Sequence, residues 1–259
     1  MTQRTKKLHL ARKRKDNEWY TPIHTVEWIF SLIPEGVLKN KKIYCPCDSE
    51  KSEFVKFLLK EENQKKFGYD SVYFTSDQWQ NHDDMFEKCD FVITNPPFTG
   101  IKKFIDYVHS KGKQFIMICP TAECWYHFEN IKNGKFFFNR LKAHNCDFFK
   151  RPDGQTIRYS AVGIISTVKM NDTLPDSMIQ KYVKRQKKFK DLDLKKFDGT
   201  DIYNVDCIYD VPIDYYGVIG VPAPNIMLAN SWYRQFYDIL GLVENPIVDG
   251  KSKFIRVKI

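Results

Sequence analysis

Four short apolar runs, separated by segments with helical spacing, constrain the fold of this chain more than any other feature. The runs are residues 42–45, 71–75, 90–94 and 114–119. The segments 25–32, 50–60 and 101–108 place apolar residues three and four positions apart, as one buried face of a helix requires. Strands of four to six residues that alternate with helices predict an α/β fold on a doubly wound, mostly parallel sheet.

The charge pattern divides the chain into three parts. A length of 259 residues fits one domain that carries a small lobe. We expect a basic N-terminal arm and the core in 1–170, a basic inserted lobe in 171–215, and a return to the core in 216–259. Smaller features are expected in the second half: paired strands 146–149 and 160–168 around the turn Pro152-Asp153-Gly154, a helix at 231–240, and a last strand at 254–259.

Composition excludes two classes of protein. Hydrophobic residues make up 42% and aromatic residues 15%, which is enough for a packed core, so a disordered chain is excluded. No apolar run reaches the roughly 18 residues of a membrane span, so none is expected. Seven cysteines without a secretory signal predict a reduced, cytoplasmic protein. Neither the cysteines nor the six histidines show zinc-site spacing, so no metal is expected.

The net charge of +9 is concentrated in two clusters, one in residues 1–15 and one in 181–190. Basic clusters bind polyanions by releasing condensed counterions, which favours a nucleic acid as the partner. The cations that we expect to contact it are Arg12, Lys13, Arg14, Lys184, Arg185, Lys187 and Lys188. A solubilising tail and a solvated helix face are the alternative interpretation of the same clusters.

The most informative segment is the tetrapeptide Asn95-Pro96-Pro97-Phe98, here called the 95–98 corner, which follows the third apolar run. Ligands of open α/β sheets bind at the carboxyl ends of strands, where this corner would lie. Two prolines stiffen the chain and fix the direction of the Pro96 carbonyl. The Asn95 side-chain oxygen is a second acceptor, and Phe98 offers an aromatic face. This set suits a planar group that bears an NH₂.

Such a set of acceptors predicts a particular chemistry. The exocyclic amine of a nucleobase is a poor nucleophile because its lone pair is delocalised into the ring. Accepting hydrogen bonds from both N–H groups favours a pyramidal nitrogen, and these bonds strengthen as positive charge develops there. If the amine belongs to DNA, the base must leave the helix and stack in the pocket, and we assign the stacking to Phe98.

The 95–98 corner resembles the catalytic motif of S-adenosylmethionine-dependent amino methyltransferases. The wider pattern resembles the EcoRI-methylase family of adenine-specific DNA methyltransferases and covers most of the chain. The matching segments are 16–22, 43–50 with Phe54-Val55, 90–98, 152–154, 217–222 and 236–241. The resemblance implies a class I methyltransferase fold, S-adenosylmethionine as the cofactor and double-stranded DNA as the partner, with a cognate restriction enzyme as a further expected partner.

The same resemblance assigns roles to residues outside the 95–98 corner. Tyr20, Thr21 and Pro22 would contact the methionine part of the cofactor. Cys45, Pro46 and Asp48 would form the loop beneath it, after the first strand. Asp77 would bind the ribose hydroxyls, and Asp83, or alternatively Asp84, the adenine amine. The loop after the first strand contains no glycine, unlike the glycine-rich turn of most nucleotide-binding sheets.

The residues leave several functions open. Transfer to the N6 amine of adenine in DNA is the main prediction. The alternatives are an amino methyltransferase that acts on guanine or adenine in RNA or on a glutamine side chain, and a DNA-binding module that retains the fold without catalysis. A cytosine ring-carbon methyltransferase with Cys47 as the nucleophile is set lower, because it would leave the 95–98 corner without a role.

Overall fold

The computed structural model describes residues 19–141, 145–151 and 153–171, together with five later strands. Those strands are β9 (Leu194–Phe197), β10 (Thr200–Tyr203), β11 (Val218–Pro222), β12 (Asp238–Val243) and β13 (Phe254–Lys258). The predicted alternation of strands and helices is confirmed in 19–141. No helix in the described part of the chain is long and apolar enough to cross a membrane.

Six strands form the first sheet, in the order β2-β1-β3-β4-β8-β5. Their bounds are β1 (Lys42–Pro46), β2 (Ser71–Thr75), β3 (Phe91–Thr94), β4 (Gln114–Pro120), β5 (Phe137–Arg140) and β8 (Val162–Ser166). Strands β2, β1, β3 and β4 are mutually parallel, and β8 runs antiparallel to both of its neighbours. The sheet is therefore mostly parallel, as a class I, Rossmann-like methyltransferase fold requires, and the fold prediction is confirmed.

In the part of the chain that the structure describes, seven short helices accompany this sheet. They are α1 (Ile23–Ser31), α2 (Glu53–Leu58), α3 (Glu61–Phe67), α4 (Asp83–Lys88), α5 (Ile101–Ser110), α6 (Glu123–Tyr126) and α7 (Phe128–Lys132), with a 3-10 turn at Trp79–Asn81. Helix α1 buries Val26, Ile29 and Phe30, the face that the sequence spacing predicts. Helices α3 and α4 were not predicted, because each buries a single residue and so carries almost no apolar period.

The core lies on both faces of the parallel strands. All four residues of β3 are buried, as are six of the seven in β4. The fully buried rings of Phe30, Phe54 and Phe91 each contribute roughly 1.5–3 kcal/mol of hydrophobic stabilisation. Strands buried on both faces read as continuous apolar runs, which is why the sequence locates them well.

The predicted pairing of 146–149 with 160–168 is wrong. Strand β6 (Phe148–Lys150) pairs instead with β7 (Thr156–Arg158) in a separate antiparallel hairpin. Strand β8 enters the main sheet between β4 and β5, where a Cβ atom on Gly163 would collide with the Phe138 ring and the Asn139 carbonyl. Glycine permits this close approach of β8 to β5.

The last five strands form a second sheet, in the order β12-β13-β11-β10-β9. Strand β10, from the predicted lobe, pairs in parallel with β11, from the part expected to return to the core. Strands on both sides of residue 215 thus share one sheet, and the division into a core and a lobe stays a prediction. The end of the helix predicted at 231–240 is wrong, because residues 238–240 belong to β12. The predicted last strand is confirmed as β13.

Candidate active site

The site lies where the order of the first sheet changes direction. Strand β1 lies between β2 and β3. The chain leaves β1 towards β2 on one side and later continues from β3 towards β4 on the other, which opens a crevice at the carboxyl end of β1. Crevices of this kind bind ligands in open α/β sheets. The loop after β1 and the 95–98 corner after β3 flank this crevice, and the Thr94 hydroxyl reaches across it to the Pro46 carbonyl.

Asn95 is held by its side chain in a defined orientation. Its Nδ2 donates to the main-chain carbonyl of Trp19, with 2.6 Å between nitrogen and oxygen. Because a carbonyl can only accept, the amide nitrogen must face Trp19 and the amide oxygen must face away. Asn95 Oδ1 is buried and has no hydrogen-bond partner. The side chain therefore presents the unsatisfied acceptor that the predicted chemistry needs.

The other residues of the 95–98 corner differ in exposure. Pro96 is buried, Pro97 is exposed and Phe98 is half-buried. The Phe98 ring lies 5.9 Å from the Trp19 ring and 6.2 Å from the Tyr159 ring, centre to centre. Trp19 and Tyr159 meet edge to face at 5.0 Å. Phe98 is thus part of an aromatic cluster beside Asn95.

The segment that supplies Trp19 is anchored to the β6–β7 hairpin. The Tyr20 N–H donates to the Lys150 carbonyl at 2.8 Å, and the Lys150 N–H donates back at 2.9 Å. The sequence did not predict that Trp19 and Tyr159 contact the 95–98 corner. Trp19 is 76 positions from Asn95, and no local spacing relates them.

Thr21 and Pro22 connect this segment to α1. Pro22 is buried, and its carbonyl accepts the Thr25 N–H at 3.0 Å at the start of the helix. Thr21 is only 5% exposed, and its hydroxyl oxygen has no hydrogen-bond partner. A buried, unpaired polar atom costs about 1–3 kcal/mol, so Thr21 Oγ1 is suited to a polar ligand.

The loop after β1 makes its turn without glycine. Cys47 has φ of +64°, the left-handed conformation that glycine adopts most easily. Burial, and then the charge of Asp48, raise the pKa of the Cys47 thiol to about 12. The thiol is therefore protonated at neutral pH, which argues against a cysteine nucleophile. Cys45 is fully buried in the hydrophobic core, so its side chain does not line the crevice.

Asp48, predicted to contact the cofactor, is buried at 6% exposure and turned inward. Its Oδ1 accepts from Ser52 Oγ at 2.6 Å, and its Oδ2 lies 2.7 Å from Thr94 Oγ1. Burial raises the pKa of Asp48 to about 7, and the Ser52 and Thr94 hydroxyls and the Asn95 N–H act in the opposite direction. Its carboxylate faces the protein rather than the crevice.

Asp77 and Asp83 both lie on the surface beyond β2, and both have protein partners. Asp77 is 55% exposed, accepts a hydrogen bond from His82 and has a lowered pKa because of it. The charge of Asp77 also acts on the Cys47 thiol, as expected for a carboxylate near the β1 loop. Asp83 accepts from Tyr107 and from Lys111 (2.9 Å), which lower its pKa. Both of these contacts are made by Oδ1, so the predicted contact with an adenine amine would use Oδ2.

Two further predictions concern the nucleic-acid contacts and the absence of a metal site. The expected nucleic-acid contacts lie in 1–18 and 172–193, outside the described residues. Across 19–141, 145–151 and 153–171, no three side chains of His, Cys, Asp or Glu are grouped to hold a metal ion.

Comparison with known proteins agrees with this geometry. The family model described as adenine-specific methyltransferase EcoRI matches residues 80–257. The chain is 24% identical to the Type II methyltransferase M.EcoRI of Escherichia coli, over 98% of this chain and 96% of that protein. It is 23% identical to M.MgeORF184P of Mycoplasma genitalium, over 95% and 96%, and 21% identical to M.MpnI of Mycoplasma pneumoniae, over 91% and 85%.

No solved structure matches the chain. The family match covers more than half of the sequence, including the 95–98 corner, both strands of the hairpin and the second sheet up to residue 257. The chain therefore belongs to the EcoRI family of adenine-specific methyltransferases.

Proposed function

We propose that this protein is a site-specific DNA methyltransferase that transfers a methyl group from S-adenosylmethionine to the N6 amine of adenine. The observation that carries the proposal is the orientation of Asn95. Its amide oxygen is buried, unpaired and directed away from Trp19, at the carboxyl end of β3. An adenine amine would supply one N–H donor to this oxygen and one to the Pro96 carbonyl.

The residues around the crevice fit S-adenosylmethionine, which supplies an activated methyl group on a sulfonium when it is bound. The unpaired Thr21 hydroxyl, with Tyr20 and Pro22, would hold its methionine part. The left-handed turn at Cys47, after Pro46, brings main chain close to the crevice in place of a glycine loop. Asp77, beyond β2, would accept its ribose hydroxyls.

Asn95 and Pro96 would act mainly in the transition state. Their oxygens accept both amine hydrogens, which localises the nitrogen lone pair for attack on the methyl carbon. Asn95 and Pro96 would hold the amine facing the methyl group that bound S-adenosylmethionine would supply, and its sulfur would be the leaving group that keeps the electron pair. The nitrogen becomes cationic, so both hydrogen bonds strengthen at that moment. The methylated nitrogen then releases its extra proton to water.

The target base must leave the duplex to reach the 95–98 corner. Phe98 would stack on it, within the cluster that includes Trp19 and Tyr159. The basic clusters at 1–15 and 181–190 would bind the phosphates on either side. The names of the relatives as Type II methyltransferases support a role in restriction and modification, with a cognate restriction enzyme as partner.

The test is to express the protein in a host that lacks DNA adenine methylation and to map modified bases in its genome by single-molecule sequencing. We expect N6-methyladenine in one short sequence context. Labelled methyl groups that enter only RNA would favour the RNA alternative. Sequence-specific binding without any methyl transfer would favour the non-catalytic module.

A further inference from the structure

Asp48 is a buried carboxylate that the proposed chemistry leaves without a task. It lies two residues beyond β1, at 6% exposure, and both of its oxygens have partners within the protein. Burying a carboxylate is costly unless it is hydrogen-bonded, so its partners indicate what it stabilises. They belong to two segments: Ser52, at the start of α2, and Thr94 with Asn95, at the end of β3.

Thr94 connects the two loops that flank the crevice. Its single hydroxyl proton has two acceptors in reach, the Pro46 carbonyl and Asp48 Oδ2. If Thr94 donates to Pro46, Asp48 must be protonated and donate to Thr94. If Asp48 is ionised, Thr94 donates to it instead. Either arrangement ties the end of β3 to the loop after β1.

The 95–98 corner has few other ways to be fixed. Pro96 and Pro97 have no N–H groups, so the Asn95 N–H is the last main-chain donor before Phe98. That N–H lies close enough to the Asp48 carboxylate to lower its pKa, and Thr94, the residue before Asn95, is hydrogen-bonded to the same carboxylate. The Asn95 side chain is held separately by Trp19, on a different segment. The main chain that sets the direction of the Pro96 carbonyl thus depends on Asp48 and Thr94.

We infer that Asp48 is a positioning residue for methyl transfer, which holds the 95–98 corner against the loop after β1 and acts through Asn95 rather than by contact with the cofactor. Only the expected effect on kcat rests on the proposed function; the effect of Asp48 on the position of Asn95 does not. A displacement of the acceptors by about 1 Å can slow a reaction about 100-fold, because both oxygens must face the amine at once.

The raised pKa of Asp48, about 7, agrees with this arrangement. The titratable groups that face it are Cys45 and Cys47, whose own pKa values the Asp48 charge raises. Both thiols are neutral at physiological pH. Among the described residues, hydroxyl and N–H donors therefore stabilise the ionised carboxylate, and no cation does so.

The decisive variant is Asp48→Asn, which keeps the size of the side chain but turns one acceptor into a donor. We expect kcat to fall about 10- to 100-fold, while the Kd values for S-adenosylmethionine and DNA stay within about threefold of wild type. The matched control is Asp90→Asn. Asp90 accepts the Lys42 N–H at 2.9 Å at the opposite ends of the same two strands, so its loss should leave kcat unchanged.

A second readout does not depend on activity. Amide hydrogen exchange of Asn95 should rise about tenfold in Asp48→Asn and stay at the wild-type rate in Asp90→Asn. The prolines contribute no amide signal, so a peptide that spans the corner reports chiefly on Asn95 and Phe98. Thr94→Val, which removes the shared hydroxyl but keeps the shape, should raise exchange in the same way if Asp48→Asn fails to fold.

Two results would overturn the inference. A weakened Kd for S-adenosylmethionine at unchanged kcat would make Asp48 a cofactor ligand. Unchanged Asn95 exchange in both Asp48→Asn and Thr94→Val would show that the corner does not depend on this network. If wild type transfers no methyl group to DNA but the exchange still rises, the proposed function fails and the positioning of Asn95 stands.

Discussion

The carbonyl of Trp19 accepts the Asn95 side-chain N–H at 2.6 Å, so a residue ahead of the first helix sets the orientation of an amide at the end of the third strand. Orientation matters because the two ends of an amide are chemically opposite. If the amide were rotated, the crevice would present a donor, which would repel an amine. The segment around Trp19 thereby determines which kind of ligand the crevice accepts.

Replacement of Asn95 by alanine should stop methyl transfer without loss of cofactor. We expect kcat to fall by about 100-fold or more, because an acceptor of the transition state is removed, while the Kd of S-adenosylmethionine changes little. Asn63→Ala is the matched control, since Asn63 also donates through Nδ2 to a carbonyl, that of Phe57, at 2.7 Å. Wild-type turnover in Asn95→Ala would refute the mechanism.

Phe98→Ala should impair the capture of the displaced base. Stacking of a base on an aromatic ring contributes roughly 1–3 kcal/mol, so kcat/KM for DNA should fall about 5- to 150-fold. The fluorescence of 2-aminopurine at the target position reports displacement of the base directly. Phe67→Ala, which removes a partly buried ring packed on Phe30, serves as the control. Equal effects of the two variants would remove the stacking role.

Glycine should be better tolerated than alanine at position 47. Cys47 has φ of +64°, so Cys47→Gly relieves a backbone strain that Cys47→Ala retains, and it should be the more stable variant by about 1 kcal/mol. At Cys89, where φ is −89°, the order should be reversed. Urea unfolding of the four variants measures both differences. Both Cys47 variants should keep methyl transfer, in contrast to a cysteine nucleophile.

Asp48 should make stability depend on pH below neutrality. Its folded-state pKa is raised from 3.8 to about 7, so the folded protein retains a proton that the unfolded chain has already lost. Stability is then greatest below the unfolded pKa and falls as the pH rises to about 7, by on the order of 1.4 kcal/mol per pKa unit. The difference in unfolding free energy between wild type and Asp48→Asn should shrink over that range and then stay constant. A difference independent of pH would contradict the shift.

Charge reversal of Lys184, Arg185, Lys187 and Lys188 should weaken DNA binding. Each lost phosphate contact lowers the slope of log affinity against log salt by about 0.9, so the salt dependence should flatten. A variant with equal net charge, reversed at Lys39, Lys42, Lys66 and Lys113, changes cations near the amino ends of the strands, away from the 95–98 corner. If both variants lose the same affinity, the 181–190 cluster has no specific role.

Much of the first sheet could be predicted because β1, β3 and β4 are buried on both faces, while the partly buried β2 still carries three adjacent apolar residues. Strands β1, β2, β3 and β4 appear in the sequence as continuous apolar runs, and each was located to within a residue or two. The pairing of β8 was not predictable in the same way. A run such as 162–166 fits any partner with an apolar face, and only the close approach at Gly163 selects β5.

The site was predictable where function is carried by a local motif and not where it depends on tertiary contacts. Two prolines after an apolar strand are enough to identify the 95–98 corner in the sequence. The partners that orient it come from distant segments: Trp19 is 76 positions from Asn95, and Asp48 is 46 positions from Thr94. Nothing in the residue type of Asp48 distinguishes a solvated acid from one enclosed between two loops, because burial is a property of the assembled fold.

The parallel pairing of β10 with β11 has a consequence for how chimeras between members of this family can be built. A chimera spliced near residue 215 would leave each half with an unpaired strand edge, which invites aggregation. Grafting 194–258 in one piece would keep every ladder of the second sheet intact. Exchange between relatives should therefore succeed as a whole cassette or not at all.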